Sequence, residues 1–205
     1  MRAWRCYHLG MQAAGFVLVG GRSSRMGRDK ALLQWHSHAL VEEVARRVRS
    51  VAGNVALIGR PERYGALGFE CLPDVRPGLG PLAGIEAALE SERAELNLIT
   101  ACDMPGVEAD WLRRLLWEAE ETGARCVLTR DVAGVVQPLC GVYRRECLAV
   151  VGRALDEHRF RLQSVAGELQ AVILQTETRL VNLNTPQDWM AWQRRQAAAA
   201  TGDGD

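Results

Sequence analysis

Short apolar runs alternate with amphipathic stretches along most of the chain. Runs of this length, bounded by polar residues, glycine or proline, predict buried strands at residues 16–19, 55–58, 69–72 and 96–101, and further strands at 126–129 and 171–174. Between them, apolar residues at helical spacing predict a helix over 37–50, a second from Pro81 onward and a third that ends at Gly123. This order predicts an α/β fold with three layers, in which helices cover both faces of a doubly wound, mostly parallel, Rossmann-like sheet.

Local signals refine several of these elements. Ser37 is a plausible N-cap for the first helix, and Pro81 after Gly80 is typical of a helix start. Thr185 and Asp188 are placed to form a capping box, with Pro186 at the first helical position. They predict a last helix, which carries Trp189 and Trp192.

The second half of the chain contains less regular predictions. Residues 135–143 form a strand pattern that includes Pro138, which has no N–H to donate, so this strand is expected at an edge or with a bulge. Residues 145–166 are predicted as two helical pieces, and residues 180–183 as a short final strand.

The stretch FVLVGGRSSRMGRDKALL, residues 16–33, places a glycine-rich, basic loop directly after a buried strand. Glycines let a ligand approach the backbone closely, and Arg22, Arg25, Arg28 and Lys30 would attract an anion, so a phosphate site is one interpretation. The other is an ordinary solvated loop. The stretch fits neither the Walker spacing nor G-x-G-x-x-G, since Asp29 precedes Lys30 and the first two glycines are adjacent.

Asp103 follows the strand over 96–101, where open α/β sheets bind ligands. A carboxylate there suits Mg²⁺, which takes one or two such oxygens and completes its shell with water and phosphate. The alternative is an N-cap for the next helix. In the same way, the helix that starts at Pro81 either presents its amides to a ligand at this edge or is simply capped there.

Composition limits the class of protein. The chain has 205 residues with 25 basic and 25 acidic side chains, so no net charge draws it to nucleic acid or to a membrane. Its six cysteines form no C-x-x-C pair, which favours reduced thiols and a cytoplasmic location. A single domain is expected over 15–195, between a flexible N-terminal extension (1–14) and a flexible tail (196–205).

Four segments carry a resemblance to a known family: LVGGRSSRMGRDKALL, PDVRPGLGPLAGI, ITACDMP and VNLNTPQDW. In this order and spacing the chain resembles the molybdenum cofactor guanylyltransferases, within the nucleotidyltransferase superfamily. The resemblance implies a nucleotidyltransferase fold and transfer of GMP from GTP to the terminal phosphate of molybdopterin or molybdenum-molybdopterin. Pyrophosphate would be released and molybdopterin guanine dinucleotide formed, with Mg²⁺ as cofactor. Molybdenum-insertion proteins and molybdoenzyme chaperones are further partners that it implies.

The resemblance also implies roles for individual residues. Nucleotide contacts fall on Leu18, Val19, Gly20, Gly21, Lys30, Asp74 and Asp103. Among these, Lys30 would bind phosphate and Asp103 the metal, and Arg25 would join them as a catalytic residue. Asn182 and Asn184 match a segment near the reacting phosphates on the acceptor side. Gln137, Arg159 and Arg161 are candidates for the pterin by position only.

Other functions stay open on the sequence. Val19 stands where alanine is usual and Ile58 where some members have asparagine, and neither change removes a charged catalytic group. A molybdopterin cytidylyltransferase usually shows A-A-G where this chain has Val19, Gly20 and Gly21, and the double glycine leaves more room for a purine. The remaining alternatives are a nucleotidyltransferase for another phosphorylated acceptor and a non-catalytic carrier of the cofactor.

Overall fold

The structure is a computed structural model that describes residues 12–20 and 29–202. Its strands are β1 (Ala13–Leu18), β2 (Gln34–Trp35), β3 (His38–Ala39), β4 (Ala56–Ile58), β5 (Glu70–Leu72), β6 (Leu96–Ala101), β7 (Cys126–Arg130), β8 (Val136–Arg144) and β9 (Val172–Gln175). Its helices are α1 (Leu40–Ala52), α2 (Pro61–Tyr64), α3 (Pro81–Glu90), α4 (Ala109–Thr122), α5 (Leu148–Asp156), α6 (Leu162–Glu168) and α7 (Pro186–Gly202).

The main sheet confirms the predicted doubly wound, mostly parallel architecture. In the described part of the chain it has seven strands in the order β5-β4-β1-β6-β8-β7-β9, while β2 and β3 form a small separate hairpin. β8 is antiparallel to both of its neighbours, and the other pairs are parallel. The chain moves outward from β1 through β4 to β5 and then returns to β6 on the other side of β1. This reversal places the topological switch point, where open α/β sheets bind ligands, at the carboxyl ends of β1 and β6.

Two apolar cores cover the two faces of the sheet. Val17 and Leu98 point into one core, where they pack with the apolar stripes of α1 and α4. Their neighbours Phe16 and Ile99 point into the other, with α3, α5 and α6. Successive side chains of a strand alternate between the two faces, and both faces are buried here. β1 and β6 are therefore mostly apolar, and both appear in the sequence as apolar runs.

Pro138 lies in a bulge inside the sheet. β8 pairs with β6 on one side and β7 on the other, so the edge position is wrong and the bulge is confirmed. The register with β7 jumps from Leu128 opposite Gly141 to Thr129 opposite Gln137, which leaves residues 138–140 out of that ladder. A residue without an N–H is tolerated there because no ladder hydrogen bond is required of it.

Three local predictions are wrong. The first helix begins at Leu40, and Ser37 belongs to the preceding hairpin turn; the Ala39 N–H is instead satisfied by the Glu42 carboxylate at 2.9 Å. The strand predicted over 69–72 is only half-buried, because β5 lies at the edge of the sheet. Residues 180–183 form no strand; the Leu183 N–H instead donates to the Asp103 carbonyl in the loop after β6.

Both ends of the described chain are regular. β1 begins at Ala13, inside the segment 1–14 predicted as an extension, and α7 continues to Gly202, inside the predicted tail. The domain boundaries at 15 and 195 stay predictions. None of the helices in the described ranges has the length and apolar character that crossing a membrane requires.

Candidate active site

The carboxyl end of β1 is fixed between its two neighbours. The Val19 N–H donates to the Ile58 carbonyl at 2.9 Å, and the Cys102 N–H donates to the Leu18 carbonyl at 3.1 Å. The chain then leaves the sheet at Gly20, whose φ of 108° lies in the region that L side chains rarely adopt. Leu18, Val19 and Gly20 therefore lie at the switch point, beside the loop that begins after β6.

Lys30 joins two of the other predicted site residues. Its Nζ lies 2.7 Å from Asp103 Oδ2 and donates a second hydrogen bond of 3.0 Å to Asn184 Oδ1. The side chains of Lys30 and Asp103 are only 17% and 18% exposed, so water screens this pair incompletely. Three segments that are far apart in sequence thus meet around one ammonium group.

The segment that carries the two asparagines is anchored on both sides. The Leu183 N–H donates to the Asp103 carbonyl at 2.9 Å, and the Leu183 side chain is fully buried. Asn182 Nδ2 donates to Gln137 Oε1 in β8 at 3.1 Å. The Asn184 N–H donates to the Asp188 carboxylate that caps α7, at 3.1 Å. Both asparagine side chains are therefore held at the same sheet edge as Asp103.

Asp29 anchors the chain immediately before Lys30. One carboxylate oxygen accepts the Ala31 N–H at 3.1 Å, which caps the short 3₁₀ turn Lys30–Leu32. The other accepts the Tyr64 hydroxyl at 2.8 Å and lies 2.5 Å from Arg63 Nε. The turn that presents Lys30 is thus tied to α2, on the opposite side of β1 from β6.

The buried position of Tyr64 explains its chemistry. Its side chain is 2% exposed, and burial together with the hydrogen bond to Asp29 raises the pKa of the phenol well above its ordinary value. Tyr64 therefore remains a neutral hydrogen-bond donor and is not an acid–base group at physiological pH. Its role here is to hold Asp29.

Asp74 lies at the same edge but across the sheet, two residues after β5. Its carboxylate accepts the Arg76 N–H at 2.9 Å, which closes a turn in the loop before α3. Arg76 in turn forms ion pairs with Glu86 in α3, at 2.9 Å, and with Asp156 in α5, at 2.6 Å. Burial raises the pKa of the Glu86 carboxyl, and the Arg76 charge opposes that shift.

The helix predicted from Pro81 begins there and points its first turn at the switch-point edge. It approaches β1 closely because position 84 is glycine: a Cβ on Gly84 would lie 2.8 Å from Leu18 Cδ2. A larger residue would push α3 away from the end of β1.

The remaining predicted residues divide into two groups. Arg25 and Gly21 lie outside the described residues, as do Arg22 and Arg28. In the described ranges, Arg159 pairs with Glu157 and Glu168, and neither Arg159 nor Arg161 contacts the lysine–aspartate cluster. The alternative that Asp103 caps the next helix is wrong, because α4 starts at Ala109 after Glu108.

Sequence reasoning missed the residues that hold Lys30 in place. In the sequence Asp29 stands out only as a departure from the Walker spacing, although its place beside Lys30 is a usable signal. Arg63 and Tyr64 belong to a four-residue helix whose only sequence mark is Pro61 at its first position. The backbone N–H of Leu183 has no sequence signature at all.

A metal at this edge would rest mainly on one carboxylate. The described ranges contain no group of three or more histidine, cysteine, aspartate and glutamate side chains that could hold an ion. Asp103 Oδ1 accepts no hydrogen bond from the described residues, while Oδ2 faces Lys30. Such a donor set fits a cation like Mg²⁺, which keeps several waters and takes its other ligands from substrate phosphates.

The fold and this edge define an α/β protein of the nucleotidyltransferase type. The structure is similar to molybdopterin-guanine dinucleotide biosynthesis protein A from Archaeoglobus fulgidus, with a TM-score of 0.78 and 23% identity over 90% of this chain and 99% of that one. It is also similar to 2-C-methyl-D-erythritol 4-phosphate cytidylyltransferase from Thermus thermophilus, with a TM-score of 0.67 and 18% identity over 90% and 100% of the two chains. At these identities the likeness concerns the fold.

The sequence identifies the family. A family model described as the MobA-like NTP transferase domain matches residues 15–172, and the chain belongs to this family. The chain is 35% identical to "Molybdenum cofactor guanylyltransferase" from Xanthomonas euvesicatoria pv. vesicatoria, over 85% of this chain and 91% of that protein. It is also 35% identical to "Probable molybdenum cofactor guanylyltransferase" from Carboxydothermus hydrogenoformans, over 84% and 91%.

Proposed function

We propose that this chain is a molybdenum cofactor guanylyltransferase, which transfers GMP from GTP to the terminal phosphate of molybdopterin or molybdenum-molybdopterin. The products are pyrophosphate and molybdopterin guanine dinucleotide. The observation that carries the proposal is the meeting of Lys30, Asp103 and Asn184 at the switch point, in a chain of this family.

In this reaction an oxygen of the acceptor phosphate attacks the α-phosphorus of GTP, and the bond from that phosphorus to the β-phosphate oxygen breaks. The attacking oxygen is already anionic, so no general base is needed, and catalysis rests on alignment and charge neutralisation. Lys30 suits the second task because its ammonium is held in place by Asp103 and Asn184 before substrate binds. An incoming phosphate can replace either oxygen as its partner.

Asp103 and Mg²⁺ form the second part of the proposal. Asp103 would hold the cation with one carboxylate, next to the phosphates that Lys30 binds. Bound Mg²⁺ supplies positive charge that stabilises the transferring and leaving phosphate oxygens. Arg25, from the preceding loop, would add charge to the same phosphates.

The nucleotide half of the site is proposed along the end of β1. Leu18, Val19, Gly20 and Gly21 would border the base and ribose, where the absence of a Cβ at Gly20 lets a purine approach the backbone. Asp74, across the edge beyond β5, would contact the nucleotide through the carboxylate oxygen that its own turn leaves free. Asn182 and Asn184 would face the acceptor.

The enzyme is proposed to act in the cytoplasm, where GTP is available and where thiols stay reduced; Cys71, Cys102, Cys126, Cys140 and Cys147 are free in the structure. Molybdenum-insertion proteins and molybdoenzyme chaperones are proposed as its further partners.

The test is acceptor dependence. The protein is incubated with GTP and Mg²⁺, and pyrophosphate is measured with and without molybdopterin, with a hexose 1-phosphate as the comparison acceptor. We expect pyrophosphate and the dinucleotide in equal amounts with molybdopterin only. Release that depends on the sugar phosphate would move the assignment to another nucleotidyltransferase, and release with no acceptor at all would indicate hydrolysis.

A further inference from the structure

A pocket of about 310 Å³ lies beside Asn182, between the segment that follows β9 and the first turns of α7. Its lining residues are Arg179, Leu180, Val181, Asn182, Asp188 and Arg195. Asn182 and Asn184 are two residues apart, so their Cα atoms lie at most about 7 Å from each other. The pocket therefore adjoins the Lys30–Asp103 cluster, yet none of its charged residues was a candidate in the sequence.

The walls of the pocket are fixed by packing. Leu180 and Trp192 are 6% and 5% exposed, and the Trp192 ring lies 4.1 Å from the ring of Trp35. Asp188, Trp192 and Arg195 share one face of α7, because residues four and three apart on a helix are neighbours. Arg195 is therefore presented by a helix face that the core holds in place.

Both arginines of the pocket lack a carboxylate partner. Neither Arg179 nor Arg195 forms an ion pair with any side chain in residues 12–20 and 29–202. Other exposed arginines vary, since Arg125 pairs with Glu146 whereas Arg60 and Arg161 form no ion pair with a described residue; Arg179 and Arg195 differ from these in lining one pocket together. Like charges that line one pocket repel each other, and an anion bound between them would lower that repulsion.

The one carboxylate in the lining, that of Asp188, is hydrogen-bonded to the start of α7. Asp188 Oδ2 accepts the N–H groups of Asn184 and Thr185 and the Thr185 hydroxyl, which caps α7. These hydrogen bonds, above all that from the Thr185 side chain, hold the pKa of Asp188 below its ordinary value. Its charge is thus balanced by the helix N-terminus, and the pocket keeps an excess of positive charge.

We propose that Arg179 and Arg195 form the acceptor phosphate site, in which the phosphate monoester of the acceptor binds before transfer. Guanidinium groups bind phosphate oxygens with paired, charge-assisted hydrogen bonds, so two of them suit a dianionic monoester. A phosphate bound in this pocket lies beside Asn182, on the side that leads to Asn184 and Lys30, where the nucleotide is proposed to bind. The identity of the acceptor rests on the proposed function. The choice of the two arginines rests on the pocket that they line and on its charge.

The experiment compares Arg179→Gln and Arg195→Gln with Arg194→Gln. Arg194 is the matched control, since it neighbours Arg195 on α7 and is likewise exposed but does not line the pocket. We expect each pocket variant to raise the KM for molybdopterin roughly tenfold, with the KM for GTP unchanged. Arg195→Lys should recover part of the loss, because it restores the charge without the paired geometry. Equal KM values for molybdopterin in all three Gln variants would overturn the proposal.

A direct binding measurement separates this inference from the proposed function. Calorimetric titration with inorganic phosphate needs no turnover, and we expect weaker binding by both pocket variants than by the wild-type protein and Arg194→Gln. Wild-type protein that fails to form the dinucleotide but shows this pattern would contradict the guanylyltransferase assignment and retain the anion pocket. If the dinucleotide forms but neither arginine variant changes phosphate binding, the guanylyltransferase assignment is retained and the anion pocket is contradicted.

Discussion

The Tyr64 hydroxyl donates a 2.8 Å hydrogen bond to the carboxylate of Asp29, the residue immediately before Lys30. This contact links a buried side chain on α2 to the turn that carries Lys30, the proposed phosphate-binding residue. The position of the lysine thus depends on a buried residue of another helix.

Tyr64→Phe removes this hydrogen bond and keeps the ring packed. We expect the KM for GTP to rise about fivefold to tenfold, because a lost hydrogen bond to a charged group is worth about 1.5–3 kcal/mol and Arg63 still holds Asp29. Steady-state kinetics against GTP provides the measurement. The matched control is Tyr143→Phe, which removes another buried hydroxyl, one that donates to the Pro138 carbonyl at 2.6 Å. An equal change in the KM for GTP in both variants would show that the effect is general destabilisation.

Lys30→Ala should reduce kcat/KM for GTP by roughly 10²–10³-fold, the size expected when a preorganised charge is removed from a transition state. The fold should persist, because Lys30 makes its contacts at the edge of the sheet and not in a core, and circular dichroism checks this. Lys30→Arg keeps the charge and should retain part of the activity. A fully active Lys30→Ala protein would rule out the assigned role.

Asp103→Asn keeps the size of the side chain and removes its charge. We expect the Mg²⁺ concentration for half-maximal activity to rise at least about tenfold, since a neutral amide is a much weaker ligand for this cation. Activity is measured over a range of Mg²⁺ in the variant and the wild-type protein. EDTA should abolish wild-type turnover and added Mg²⁺ should restore it. An unchanged metal requirement in the variant would exclude Asp103 as a ligand.

Glu86→Gln tests the electrostatics of the loop that carries Asp74. Burial raises the pKa of the Glu86 carboxyl in the folded protein, so the proton binds more tightly there than in the unfolded chain. The corresponding stability is present at low pH and is lost as pH rises through the folded pKa. The melting temperature of the variant relative to the wild-type protein should therefore increase between about pH 4 and about pH 7. A difference that stays constant or falls would mean that the ion pair with Arg76 outweighs burial.

The central sheet was predictable because its inner strands are buried on both faces. Phe16 and Val17 point into opposite cores, so β1 shows an unbroken apolar run, and β6 behaves in the same way. Residues 180–183 share this apolar character for a different reason. Leu183 is buried beneath α7 with Trp192, and its N–H bonds the turn at Asp103, so no strand forms.

The residues of the candidate site that could be predicted are those whose own side chains suggest a chemical role. Lys30, Asp103 and Asn184 could be named from their motifs, and the structure brings them together. Contacts between distant segments could not be inferred, such as that of Asn182 with Gln137, because they depend on strand order and register. The anchor at Asp29 depends in the same way on how α2 packs beside β1.

The most direct test of guanylyl transfer is the ratio of kcat/KM for GTP to that for CTP, with molybdopterin and Mg²⁺ at saturation. We predict that GTP is preferred at least roughly tenfold, since the smaller base would make fewer contacts in the room that the proposed site leaves for a purine at Gly20. The dinucleotide formed should contain guanine. Equal values, or a preference for CTP, would contradict the account and assign the chain to cytidylyl transfer.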